Sequence, residues 1–253
     1  MDLGLKDKVA LVTGAGSQKG FGRGIVMALV KEGCDIIVCD VDIEGAKKTA
    51  EDVKAMGRKA IALKVDITSP DEVKTAVDAA IKEMGRIDIL VNNAGVGTKP
   101  VPFVESTEKD WDISININLR GTLYMTKAVL PYMLEQKSGK IVSMASTVAL
   151  QPMATAGVYG AAKAGVIIFT AALAKELEDS RINVNCIAPG LGNTNFHVAS
   201  EFPQEFADHF LKEMVEAGKT TTPEDIGNTV AFLVSDVSKR INGQCIRVSD
   251  LSL

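Results

Sequence analysis

The sequence is poor in the residues that build disulfide scaffolds, metal centres and nucleic-acid grips. Its four cysteines, Cys34, Cys39, Cys186 and Cys245, are scattered with no CxxC spacing, and its only histidines are His197 and His209. These make no metal set of recognisable spacing, so no metal is expected. The cysteines read as small buried apolar residues, and free thiols agree with a reducing compartment. Basic residues do not predominate: 28 Lys and Arg against 32 Asp and Glu leave a formal net charge of −4, with no cationic tail. Nothing there attracts a phosphate backbone, and nucleic acid is not an expected partner. No apolar run approaches the roughly 18 uninterrupted residues of a membrane span. The opening segment, Met1 to Lys8, carries Asp2, Lys6, Asp7 and Lys8 where a signal peptide would be apolar. Neither a membrane nor export is expected, and the expected location is cytoplasmic.

Aromatics are also scarce, at 5%, although 46% of residues are hydrophobic. That balance suits a core of Val, Ile, Leu and Ala in a buried parallel sheet covered by helices. Short β-branched runs read as strands: Lys8 to Thr13, Asp35 to Asp40, Lys59 to Asp66, Ile87 to Asn92, Lys140 to Met144 and Ile182 to Ile187. Between them lie segments of helical period, roughly Gly22 to Glu32, Ile43 to Met56, Pro70 to Met84, Glu108 to Glu135 and Tyr159 to Asp179. Alternation of this kind predicts an α/β fold, a Rossmann-type doubly wound parallel sheet of about seven strands with helices on both faces. With no Pro/Ser-rich linker and no internal repeat, residues 1–253 read as a single domain. Within it, about 190–218 mixes Gly, Asn, Phe, His and acidic residues after the sixth strand, where such sheets place their ligand crevice, and reads as a substrate lid. Phe196, His197, Phe202, Phe206 and Phe210 face either the substrate or the lid's own core.

The first strand runs directly into the glycine-rich segment Gly14 to Gly24 and then an apolar helix beginning Ile25. Glycines let the backbone approach a pyrophosphate, while a helix N-terminus offers free N–H groups and a favourable dipole. Asp40 ends the second strand, 18 residues after Gly22, where a carboxylate can accept hydrogen bonds from adenosine ribose hydroxyls and repel a 2′-phosphate. This favours NAD, with NADP possible because Lys19 or Arg23 could instead receive that phosphate.

Farther along, Tyr159 and Lys163 stand four residues apart, on one face of a helix with about 6 Å of rise between them. A free phenol titrates near ~10, and a nearby cation would lower that value. Ser146, 13 residues before Tyr159, lies just beyond a strand and returns a hydroxyl to the same sheet edge, with Ser143 its neighbouring rival.

Over essentially its full length the sequence resembles the short-chain dehydrogenase/reductase family. The Thr13-Gly14 start and the Gly20-Phe21-Gly22 finish are similar to the family's TGxxxGxG, with a loop two residues longer, a spacing that resembles the divergent enoyl reductases. Asp66, before Ile67, matches an adenine-contacting aspartate, and Asn93, Ala94 and Gly95 lie in the match to NNAG. The Tyr159/Lys163 pair matches YxxxK with Ser146 ahead of it. Asn118 matches a helix asparagine that holds a water linking the lysine to solvent, with Asn116 its local rival. Pro189, Gly190 and Thr194 match PGxxxT, where the backbone of Ile187 and the Thr hydroxyl would orient the carboxamide.

The resemblance implies an NAD(H)-dependent oxidoreductase that interconverts a secondary alcohol and a ketone. In it Tyr159 is the general acid/base, Ser146 polarises the substrate oxygen, Lys163 also binds the nicotinamide ribose and Asn118 completes a proton path. A small-molecule alcohol or ketone is the implied partner, and assembly as a homotetramer, or homodimer, is implied through the two long helices and the last strand. The alternative is a 3-oxoacyl-thioester (acyl-carrier-protein or CoA) reductase using NADPH. Pro131 stands where carrier-protein reductases commonly have Arg, which speaks against the carrier protein. A remoter alternative is a non-catalytic dinucleotide-binding protein.

Overall fold

The computed structural model describes residues 2–196, 200 and 206–249. Its centre is one seven-stranded sheet, all parallel, in the order β3-β2-β1-β4-β5-β6-β7. The strands are β1 (Val9–Thr13), β2 (Asp35–Asp40), β3 (Ala60–Lys64), β4 (Ile89–Asn92), β5 (Gly139–Met144), β6 (Ile182–Pro189) and β7 (Cys245–Val248). Every residue of β1 and β4 is buried, because helices cover both faces and leave no wet side for alternation. One apolar cluster gathers Ala10, Val12, Ile25, Leu29, Ile36 and Val38; another, on the opposite face, gathers Leu11, Ile37, Leu90, Met125 and Ile141. Alternate residues of one strand thus enter opposite cores.

The helices are α1 (Phe21–Lys31), α2 (Ile43–Ala55), α3 (Pro70–Met84), α4 (Glu108–Ile115), α5 (Gly121–Gln136), α6 (Gly157–Glu176), α7 (Lys212–Glu216) and α8 (Pro223–Val234). Two of them meet at unusually close range. A Cβ on Gly227 of α8 would sit 2.5 Å from the Gly24 carbonyl of α1, and one on Gly24 would run into the Pro223 backbone. Gly24 therefore serves helix packing, whereas its neighbours in the loop face the sheet edge. Helix α6 is long and apolar enough to cross a membrane by length and composition. Here it lies on the sheet, burying Ala162, Lys163, Val166, Thr170 and Leu173.

The segment expected as one helix over Glu108 to Glu135 is divided. A π-helical turn, Asn116–Arg120, separates α4 from α5. The cause lies in Asn118, whose Nδ2 donates both to the Ser114 carbonyl, four residues back, and to the Val96 carbonyl of a distant loop. The Thr122 hydroxyl donates to the Asn118 carbonyl in turn. Side chains thus serve backbone groups that a widened turn would leave unpaired. Helix α8 was outside the sequence reading, although Thr222 and Asp225 form a capping box with Pro223 at its first position. That pattern is a legible helix start contributing about 1 kcal/mol.

Candidate functional site

The strand order reverses between β1 and β4, and the loops leaving the carboxyl ends of those strands open a crevice at that switch point. Gly14 turns the chain out of β1 with φ of 66°, and a Cβ there would lie 2.7 Å from the Ala94 Cα. A Cβ on Gly22 would strike the Gly14 carbonyl and come within 2.7 Å of the Asn93 amide. Only glycine lets these three segments touch. Gly20, the N-cap of α1, is less confined, its nearest neighbour being Ser17 Cβ at 3.1 Å. Helices α2, α3, α4 and α8 each start with a capping side chain and acidic residues in the first turn. Helix α1 has neither. Its N-terminus is a patch of unsatisfied N–H groups with no local anion. Phe21 lies against Gly192, placing the two ends of the crevice in contact.

Asp40 is tied into the longer loop. Its Oδ2 accepts the Gly16 N–H at 2.7 Å, and its Oδ1 accepts the Asp42 N–H at 3.0 Å. Gln18 donates to the carbonyls of Gly16 and Gly45 and to the Thr49 hydroxyl, so the two additional residues are folded down onto the start of α2. Of the rival cations, Arg23 is committed to Asp52 at 2.7 Å, while Lys19 is exposed. Asp66 Oδ1 accepts from the Thr68 N–H and hydroxyl, and Ile67 packs on Gly121.

The NNAG segment holds the two halves together. Thr13 Oγ1 accepts the N–H groups of Asn93 and Ala94, and Asn93 Nδ2 donates to the carbonyls of Thr13 and Gly14. Asn92 is interior and donates to Ser143 and Thr126. That commits Ser143 to the core.

Ser146, by contrast, stands at the end of β5 within the influence of the Tyr159 hydroxyl, whose pKa it lowers, while its Oγ accepts the Val148 N–H at 3.2 Å. Behind them Lys163 is 3% exposed, its Nζ donating to the Met144 carbonyl at 2.7 Å and lying 6.0 Å from the Tyr159 ring centroid. Gly95 sits between Lys163 and Asn118: a Cβ on it would be 2.8 Å from Asn118 Oδ1 and 3.2 Å from Lys163 Nζ. Asn118 is fully buried and its Oδ1 accepts the Val96 N–H, whereas Asn116 accepts from Arg120 at the surface. Asn118, Ser146, Tyr159 and Lys163 are therefore neighbours.

One expectation fails. Burial holds the Tyr159 phenol above its ordinary value, and the Ser146 hydrogen bond only opposes that rise. The Lys163 ammonium does not supply the expected depression, because it points at the Met144 carbonyl and its own pKa is lowered by burial to about 8.

Pro189 and Gly190 close β6, where the Gly190 N–H donates to the Val248 carbonyl. Thr194 is buried, and its Oγ1 accepts the Phe196 N–H. The Ile187 carbonyl accepts the Ala145 N–H at 2.7 Å. Phe196 reaches Tyr159, ring centroids 6.2 Å apart. Ser200, which the sequence did not single out, accepts the Gly97 N–H at 2.8 Å and links this segment to the loop after β4. An isolated serine in a mixed segment carries no signal of that role. Phe210 is half exposed, at 46%, and His197 and Phe202 lie outside the described residues.

Burying Lys163 has a stability consequence. Its pKa falls from 10.5 to about 8, so between those values the unfolded chain binds more protons and stability rises with pH. Below about 8 the buried charge costs roughly 3 kcal/mol. Lys163→Met is expected to gain stability relative to the wild type at pH 7, with the gain shrinking towards pH 10. Denaturant unfolding of both proteins at the two pH values checks this, and a pH-independent difference would contradict it.

A Rossmann-type α/β sheet with an uncapped glycine-rich turn on one side of its switch point and a Ser-Tyr-Lys cluster on the other defines the class of protein. A family sequence model described as short chain dehydrogenase matches residues 8–204, and the chain belongs to this family of oxidoreductases. It is 38% identical over 246 residues to the (2S)-[(R)-hydroxy(phenyl)methyl]succinyl-CoA dehydrogenase subunit BbsD of Thauera aromatica, covering 97% of this chain and 96% of the relative. Among solved structures, the 3-ketoacyl-(acyl-carrier-protein) reductase of Brucella melitensis complexed with NADH aligns with a TM-score of 0.87 and 33% identity, over 96% of this chain and 97% of that one. The carveol dehydrogenase of Mycobacterium avium in complex with NAD aligns with a TM-score of 0.87 and 32% identity, over 96% of each chain.

Proposed function

We propose that this protein is an NAD(H)-dependent oxidoreductase that interconverts a secondary alcohol and a ketone, with Tyr159 as general acid/base. The observation that carries the reading is the gathering of Ser146 and Tyr159 in front of buried Lys163, on the same carboxyl edge of the sheet as the glycine-rich turn. A dinucleotide fits the residues present. A Cβ at Gly14 or Gly22 would push apart the packed segments that form this turn, and α1 offers N–H groups with neither cap nor acid to satisfy them. Gly14, Gly20, Phe21 and Gly22 would meet the pyrophosphate, Asp40 the adenosine ribose, Asp66 and Ile67 the adenine. Asn93, Ala94, Gly95, Tyr159 and Lys163 would line the nicotinamide ribose side, and Pro189, Gly190 and Thr194 the carboxamide side. NAD is favoured over NADP because Arg23 is held by Asp52 and Asp40 presents a carboxylate.

When bound, the nicotinamide supplies the hydride acceptor or donor. The chain supplies the proton chemistry. In oxidation the Tyr159 phenolate takes the substrate hydroxyl proton, and Ser146 holds the oxygen as its negative charge grows. Lys163 then passes the proton towards solvent through a water that Asn118 would hold. Residues 190–218 are the substrate lid of a single domain, held by the Ser200 contact to Gly97. Exposed Ile113, Ile115 and Ile168 on α4 and α6 favour a homotetramer or homodimer, and four free thiols favour a cytoplasmic setting.

The relatives' names keep a second reading, reduction of 3-oxoacyl thioesters, for which NADPH is the alternative cofactor. Pro131, exposed on α5, leaves no basic side chain at that position for a carrier protein. A purely binding role would not need the Ser146, Tyr159 and Lys163 cluster. Following reduced nicotinamide by absorbance tests the proposal. Oxidation of secondary alcohols with NAD is expected, and activity confined to acyl thioesters with NADPH would favour the second reading. No turnover in either direction would refute both.

A further inference from the structure

Two cavities share Met153, in the stretch of chain between Ser146 and Tyr159. One, of about 240 Å³, is bordered by Val101, Phe103, Trp111, Met153 and Val158, with the Phe103 and Trp111 rings stacked 5.3 Å apart. The other, of about 300 Å³, is bordered by Thr147, Val148, Gln151, Met153, Arg247 and Ser249. Thr147 and Val148 of this second lining directly follow Ser146 in the chain.

Arg247 is unusual among the arginines. Three are half-buried among the described residues: Arg23, Arg58 and Arg247. Arg23 faces Asp52, and Arg58 faces Asp7 and Asp35. Arg247 makes no ion pair with a carboxylate among the described residues, and its Nε, like those of Arg23 and Arg58, is enclosed without a hydrogen-bond partner. A half-buried guanidinium with no carboxylate beside it is open to an arriving anion. Its planar fork matches a carboxylate with two parallel N–H bonds. Parallel pairing of β7 on β6 sets Arg247 opposite Ala188, two residues before Gly190.

Resting on the proposed alcohol/ketone chemistry at Tyr159, we infer that Arg247 and its cavity hold a carboxylate carried by the substrate, which is therefore a hydroxy or oxo acid. Thr147, Gln151 and Ser249 surround that anion with polar groups, and the aromatic cavity across Met153 takes an apolar body.

The test uses phenyllactate and its uncharged methyl ester, titrated calorimetrically into the NAD-loaded protein. The wild type is expected to bind the acid roughly 10- to 100-fold more tightly than the ester, the effect of one charge-assisted bidentate pair. Arg247→Met is expected to bring the ratio to about one and Arg247→Lys to leave an intermediate ratio, which separates lost recognition from lost folding. Equal binding of acid and ester, binding of neither, or a ratio that survives Arg247→Met would overturn the inference. Oxidation of the ester, followed separately, distinguishes the two levels. If the ester is oxidised with no acid preference, the carboxylate subsite fails and the Tyr159 chemistry stands. If the acid binds through Arg247 with no alcohol oxidised, the subsite stands and the chemistry fails.

Discussion

Tyr159→Phe is expected to lower kcat by about 10²- to 10⁴-fold, the usual contribution of a positioned acid/base group, while leaving NADH affinity within about twofold. The ring stays, so its contact with Phe196 and its place on α6 persist. What is lost is the hydroxyl that Ser146 engages. Because burial raises this phenol, wild-type oxidation should accelerate with rising pH as the phenolate fraction grows, and ketone reduction should slow over the same range. Steady-state kinetics in both directions, with cofactor binding measured separately, checks this. A phenylalanine variant with near-normal kcat would show that the proton moves elsewhere.

Gly22→Val is expected to weaken NADH binding by roughly 100-fold, equivalent to about 3 kcal/mol. The new Cβ meets the Gly14 carbonyl, the Asn93 amide at 2.7 Å and Ala15 Cα at 2.8 Å, and two of those three neighbours are backbone. The start of α1 must move outwards, away from the loop it closes. Overpacking of this kind costs about 1–3 kcal/mol of stability as well, read as a fall in Tm. Gly20→Ala provides the contrast. Gly20 has φ of −87° and meets only Ser17, at 3.1 Å, so its fold should be little changed. Nucleotide titration and thermal unfolding of both variants separate the cases. Equal effects at the two positions would show that the loop is more pliable than its contacts imply.

The parallel sheet was legible because Val9 to Thr13, Ile36 to Cys39 and Ile89 to Val91 are apolar on both faces, which only a sheet covered twice can bury. Strand β7 was harder to read: Cys245–Val248 is four residues long, carries Arg247, and has every residue half-buried. The break at Asn118 left no periodic trace, since a one-residue widening shifts the helical phase too little to distinguish from ordinary variation. Side-chain choices between near neighbours depended on contacts made far along the chain. Ser143 was withdrawn by Asn92, 51 residues away, and Ser146 was left facing Tyr159. The direction of the Tyr159 shift was misread for a related reason. Spacing places Lys163 on the same helix face, but only the Met144 carbonyl decides where its ammonium points. Arg23 shows the same limit, being a cation in the glycine-rich loop that proves to belong to Asp52.

Titration of the purified protein with NADH and with NADPH, followed by nicotinamide fluorescence, tests the central claim most directly. Asp40 at the end of β2 and Arg23 bound to Asp52 predict saturable NADH binding, with NADPH weaker by roughly 10-fold or more. Binding of neither nucleotide, or a clear preference for NADPH, would contradict it.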